Sequence, residues 1–96
     1  MQIDNLIALD EFCAKHEIEI SFVDSLQQYG LIEITTIENA WFIDSNQLLQ
    51  LEKFVRFYYE LDINLEGIET ISHLLQRVNA LQNELVVLKN RLGIYE

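Results

Sequence analysis

Two side chains able to bind metal or act as nucleophiles stand one helical turn apart, Cys13 and His16 at i and i+3. A tetrahedral metal site needs three or four ligands, and neither a CxxC nor an HxxxH pair accompanies these two. Cys13 therefore reads as a small buried hydrophobe, and no metal-ligand set is assigned. His73 lies on the flank of a long amphipathic pattern and reads as solvent-facing. The chain has no Ser/His/Asp grouping, no nucleophile elbow and no glycine-rich phosphate loop. Carboxylates are plentiful, but nothing in their spacing marks a pair for acid–base work. A solvated acidic face is the default reading, which points away from an enzyme and implies no cofactor.

Those carboxylates dominate the composition. Ninety-six residues make one domain with a modest core. Sixteen acidic against six basic side chains give a formal charge of −10, with a pI near 4.4. Half the residues are apolar, which excludes disorder from low hydrophobicity. The roughly 20-residue apolar run of a membrane span is missing, and no basic segment followed by an apolar one opens the chain as a secretory signal would. A single cysteine cannot close an internal disulfide, and a reducing cytoplasm is the expected compartment.

The charge is also lopsided. Residues 1–52 carry ten acidic side chains against Lys15 alone, net −9, while residues 53–96 carry six against five, net −1. A duplex-binding protein normally shows a basic patch, and the N-terminal half has almost nothing to build one with. Nucleic acid is therefore disfavoured as a partner, and the two halves are expected to have different electrostatic roles.

The elements that position these charges follow from periodicity. Leu9, Phe12 and Cys13 recur at helical spacing, predicting a short helix over 8–16, although Ala8 offers no side-chain cap. A turn at Glu17–Ile18 leads to a second helix over 20–29, with Val23 and Leu26 facing inward and Gly30 as its left-handed stop. Two short helices around a tight turn form a helix-turn-helix candidate. Ile32-Glu33-Ile34-Thr35 alternates with period two and Trp41-Phe42-Ile43 is aromatic and β-branched, so a hairpin wing with its loop over 36–40 is predicted. Asp44-Ser45-Asn46-Gln47 resembles a capping box opening a third helix through Leu48, Leu51, Val55 and Tyr58, ending near Leu61-Asp62. Phe54, Phe57, Tyr58 and Tyr59 crowd that helix and are expected in core and dimer packing.

Asn64 is placed to cap a fourth helix, with Glu66 suited to its positive end. Along it Ile71, Leu74, Val78, Leu81, Leu85, Leu88 and Leu92 step by alternating threes and fours, seven a/d positions without a polar break. From Leu65 to Leu92 such a helix runs about 42 Å. Its start can pack on its own domain through Ile68, Ile71 and Leu75. From Val78 onward no remaining sequence can bury the stripe, so a homodimer is expected, parallel or antiparallel. The predicted organisation is a winged helix-turn-helix domain over 1–62 and a dimerisation helix over 63–96.

Helix, turn, helix, wing, helix and coiled coil, in that order, resemble the MerR superfamily. The likeness is carried by Leu9-Asp10-Glu11-Phe12-Cys13, Gly30-Leu31-Ile32, Trp41-Phe42-Ile43-Asp44 and the run from Glu60 to Ile68, which is similar to the family's ELGFSLEEI junction. It implies a mainly α fold with a small β-hairpin wing: a MerR-like winged helix-turn-helix followed by a long dimerising coiled-coil helix. Within the superfamily, Glu11-Phe12-Cys13, Trp41, Glu60-Leu61, Asn64-Leu65-Glu66-Gly67-Ile68 and Leu88-Lys89-Asn90-Arg91-Leu92 resemble the CbpM chaperone-modulator branch. That resemblance implies a non-enzymatic protein that binds the J-domain of a DnaJ/CbpA-like co-chaperone and blocks its productive contact with a DnaK-type chaperone.

DNA-binding members carry a pattern like S-R-R-T-L-R-Y-Y-E on the second helix. Aligned on Gly30, those positions here run from Glu19 to Gln27, every Arg is absent, and the last Arg position holds Asp24. Arg suits bidentate contact with guanine and phosphate, whereas an aspartate repels phosphate. The same replacements suit a basic protein surface: Ile20 and Phe22 as an apolar spot ringed by Glu17, Glu19 and Asp24. J-domains of that family generally present a basic helix, which such a face would match. Phe22 has an equally plain reading as core. The alternatives are a MerR-type transcriptional regulator with an atypical acidic DNA-binding domain, or an acidic adaptor for another protein.

Overall fold

The computed structural model describes residues 5–93; the outermost parts of the two predicted segments, 1–4 and 94–96, lie outside the described residues. The chain opens with β1 (Leu6–Ala8) and passes directly into α1 (Leu9–His16). Ala8 supplies no capping hydrogen bond, and Asp10 and Glu11 in the first turn and Lys15 and His16 in the last complement the helix dipole instead. Glu17 takes the left-handed conformation at φ 55°. Its N–H and that of Ile18 return to Ala14 and Cys13, which sets the tight turn into α2 (Ile20–Gln28). At the end of α2, Gly30 (φ 76°) donates to the Gln27 carbonyl and Leu31 to that of Leu26, a Schellman stop at the predicted glycine.

The wing is displaced from its predicted position. Its strands are β2 (Thr35–Ile37) and β3 (Ala40–Asp44), not Ile32–Thr35 and a strand after a five-residue loop. Glu38 and Asn39 both have positive φ, 50° and 65°, and make a two-residue turn whose twist matches that of the strands. Asn tolerates this conformation, so no glycine was needed to announce it. Ile32 is buried, and the extended segment around it is held by the Gln47 side chain: Glu33 N–H donates to Gln47 Oε1 at 2.9 Å, and Gln47 Nε2 to the Glu33 carbonyl at 3.2 Å. The capping box is thus half formed. Asp44 Oδ1 accepts from Asn46 N–H at 2.9 Å, but Gln47 reaches away to the strand lead-in. β3 is the central strand of an antiparallel sheet ordered β1-β3-β2, with Ile7 opposite Ile43 and Thr36 opposite Trp41. β1 was not predicted: three apolar residues are too few to show alternation.

After a single 3-10 turn (Ser45–Gln47), α3 (Leu48–Val55) runs into a π-helical turn, Arg56–Glu60. Leu61 N–H closes that turn on the Arg56 carbonyl at 3.1 Å, and Asp62 then adopts φ 57°. Asn64 caps α4 (Leu65–Leu92), its Oδ1 accepting from Gly67 N–H at 2.7 Å. α4 has the predicted start and end, and Gly93 (φ 71°) terminates it. The core joins Leu9, Phe12, Val23, Leu26, Ile43, Leu51 and Phe54 from the domain to Ile68 of α4. The tie is reinforced where Tyr29 Oη donates to Glu66 Oε2 at 3.1 Å.

Candidate partner-binding face

The turn Glu17-Ile18-Glu19 and the start of α2 form the surface that would read DNA in an Arg-bearing relative. No Lys or Arg occurs from Glu17 to Glu52, so neither α2 nor the wing supplies a cation. Glu17 and Glu19 are exposed, as is Ile20 at 38%. Ile20 and Asp24 are separated by four residues and share one helix face. Asp24 is half-buried and its Oδ2 accepts from Gln28 Nε2 at 3.0 Å, while Glu19 Oε1 accepts from Ser21 Oγ at 3.3 Å. Both carboxylates are therefore oriented from within α2.

Phe22 corrects the predicted apolar spot. It is 5% exposed and belongs to the core with Val23 and Leu26, because residues 22, 23 and 26 fall on one helix face. It acts from beneath. Its ring lies 4.5 Å from that of Tyr58 and 5.4 Å, edge-on, from that of Tyr59. The two tyrosines meet each other edge-to-face at 5.1 Å, and Tyr59 Oη accepts the otherwise free N–H of Glu19 at 3.2 Å. With Tyr58 and Tyr59 about 40% exposed, the apolar part of the face is Ile20 beside two tyrosines. Both tyrosines lie in the π turn, and both rings contact Phe22 of α2. The only hint in the sequence was the Tyr58-Tyr59 doublet itself, assigned there to packing.

The second predicted surface lies along α4. Ile68 and Ser72 are buried against the domain and Ile71 is half-buried. Leu74, Val78, Leu81, Leu85, Leu88 and Leu92 are 45–71% exposed, so none of the described residues covers the stripe beyond the first two turns. A continuous apolar stripe of that length is the anatomy of an interface.

The remaining candidates are structural. Cys13 is buried, and burial, with the charge of Asp10 added, pushes its thiol above the ordinary value, which leaves it a poor nucleophile at neutral pH. The His16 ring stacks on Phe12 at 4.2 Å, and His73 is exposed on α4. Among the described residues no three His, Cys, Asp or Glu side chains are grouped to hold a metal ion, and no helix is long and apolar enough to cross a membrane.

Two helices around a tight turn, a hairpin wing and a long C-terminal helix define a winged helix-turn-helix regulator. A family model described as MerR HTH family regulatory protein matches residues 7–90. Over 82 residues, 84% of this chain and 81% of each relative, it is similar to proteins named chaperone modulatory protein CbpM: 27% identical in Pseudomonas entomophila and 30% in a strain of Pseudomonas putida. No solved structure matches it significantly. The chain belongs to the MerR-like family and, within it, to the CbpM type. These family names point to a regulatory protein and away from an enzyme.

Proposed function

We propose that the chain is a cytoplasmic, non-enzymatic chaperone modulator that pairs with a second copy through α4 and binds the J-domain of a DnaJ/CbpA-like co-chaperone, restraining its work with a DnaK-type chaperone. The CbpM relatives support the chaperone-modulating role. The observation that carries the partner's chemistry is the face itself: Glu17, Glu19 and Asp24 around Ile20, floored by Phe22, with no cation between Glu17 and Lys53. An apolar anchor with a charged rim uses the rim for on-rate and selectivity, and a basic helix is its electrostatic complement. Phosphate is repelled by the same rim. The dimer is supported by the uncovered stripe from Leu74 to Leu92.

The test is calorimetric titration of the chain with a purified J-domain and, separately, with duplex DNA, each at two salt concentrations. The J-domain is expected to bind, more weakly at high salt, and the duplex not at all. Reversing Glu19 and Asp24 to Lys is expected to weaken J-domain binding about tenfold and flatten its salt dependence, the loss of two rim attractions and their replacement by repulsion. Unchanged affinity in that variant would place the contact elsewhere. Salt-sensitive duplex binding without J-domain binding would establish the transcriptional-regulator reading instead.

A further inference from the structure

We infer that the junction between the π turn and α4 is a slot for one arginine side chain of a partner protein, the guanidinium lying on the tyrosine pair and paired with the Asp62 carboxylate. The inference rests on the reading above for the identity of the partner, though not for the slot. What distinguishes this groove is its lining. Tyr58, Tyr59, Asp62, Ile63 and Asn64 line an open groove of about 410 Å³, within the roughly 300–1,000 Å³ range of small-ligand clefts. Two aromatic rings, one aliphatic side chain and one carboxylate are a lining for a group that is planar, apolar along its stem and positively charged at its tip.

The parts are held in place. Phe22 packs beneath both rings, and Tyr59 is pinned by the Glu19 N–H, so the aromatic wall needs no ordering when a ligand arrives. Asp62 sits at the left-handed corner with φ 57°, and its side chain, exposed, hydrogen-bonds no other described residue. The electrostatics select the sign. From Phe57 to Gln76 the chain carries Glu60, Asp62, Glu66 and Glu69 and no Lys or Arg. Guanidinium is favoured over ammonium because it stacks flat on an aromatic face and pairs with a carboxylate through two parallel N–H bonds. The slot lies beside Glu19 and Ile20 through the Tyr59 contact, so one basic helix can reach both.

The experiment is an NMR titration of the full chain with N-acetyl-arginine amide and, in parallel, with its neutral near-isostere N-acetyl-citrulline amide. The arginine compound is expected to move the signals of residues 58–64 saturably, with an affinity on the order of tens of millimolar, as one cation–π contact and one exposed ion pair would give. Citrulline should bind at least about fivefold more weakly, a charge-assisted bond having become a neutral one. Asp62→Asn keeps a side chain suited to the left-handed corner while removing the charge, and should lose the arginine response to the same extent. Equal response to both compounds, an unchanged response in Asp62→Asn, or equal shifts at carboxylates over the whole surface would overturn the slot. So would slot signals that move on Arg91→Gln alone, which would put a second copy's arginine there. A purified J-domain titrated into the parent and Asp62→Asn chains separates the two readings. No J-domain binding alongside a specific arginine response sinks the proposed function and upholds the slot; equal J-domain affinity for both chains overturns the slot and leaves the function standing.

Discussion

In the winged domain Leu9, Val23, Leu26, Ile43, Leu51 and Phe54 are fully enclosed by their own chain, whereas on α4 six side chains of like character, from Leu74 to Leu92, remain about half exposed. The charges divide in the opposite sense. The half containing the domain is at −9, and the half containing α4 is within one charge of neutral. A closed core with a strongly charged exterior stays apart from its own copies and selects a partner of the other sign. An open apolar seam with balanced charge gains most from burial against another apolar seam, at about 25 cal/mol for each Å² removed from water. On the proposed function, selectivity belongs to the domain and assembly to the helix.

The largest effect is expected where the comparison is sharpest. Leu81→Lys combined with Leu88→Lys places charge at two d positions of the seam and touches nothing in the domain core. Sedimentation should show a monomer, with dimer affinity weakened at least about 100-fold, equivalent to about 2.7 kcal/mol. Trp41 fluorescence, reporting on a residue packed against the domain core, should stay as in the parent chain. A double variant that still sediments as a dimer would remove α4 from assembly; one whose Trp41 signal collapses would show that domain and helix are not independent.

How much of this was legible follows the same division. α4 was readable because seven a/d positions and the Asn64 cap carry local signals that agree. Gly30 announced its stop for the same reason. The wing slipped because Glu38 and Asn39 accept positive φ without a glycine to mark them, and because the Glu33 backbone is held by the Gln47 side chain and not by strand pairing. The acidic half of the face was plain, since charge is read directly from composition. Its aromatic half was hidden. Whether Phe22 faces in or out depends on helix phase, and Tyr58 and Tyr59 lie in a π turn whose hydrogen bond, Leu61 to Arg56, has no signature in residue type.

A smaller effect tests whether the junction between the two regions is a built feature. A Cβ added at Gly67 would meet Ile63 Cγ2 at 2.7 Å and the capping oxygen of Asn64 at 3.1 Å. Ile63 is branched at Cβ and cannot swing that methyl aside without changing rotamer. Gly67→Ala should gain about 0.5–1 kcal/mol in helix propensity and lose about 1–3 kcal/mol to overpacking, for a net loss near 1 kcal/mol in urea unfolding. A net gain would mean the cap relaxes freely and the junction is loose.

The smallest effect is a matter of pH. Tyr29 on α2 donates to Glu66 on α4, and that bond, with some desolvation and the charges of Glu66 and Glu69, raises the phenol above its ordinary value of 10.0. A phenol whose folded value is raised favours folding in its protonated form, so its contribution is complete at every pH below the unfolded value and fades as pH climbs through the folded one. The tie is thus fully present at neutral pH. In urea unfolding, Tyr29→Phe should be slightly less stable than the parent at pH 7, and the gap should close as pH rises past 10 because only the parent must ionise that phenol beside two carboxylates. A gap that is constant from pH 7 to 11 would show that the domain and α4 are joined by packing at Ile68 and Ser72 alone.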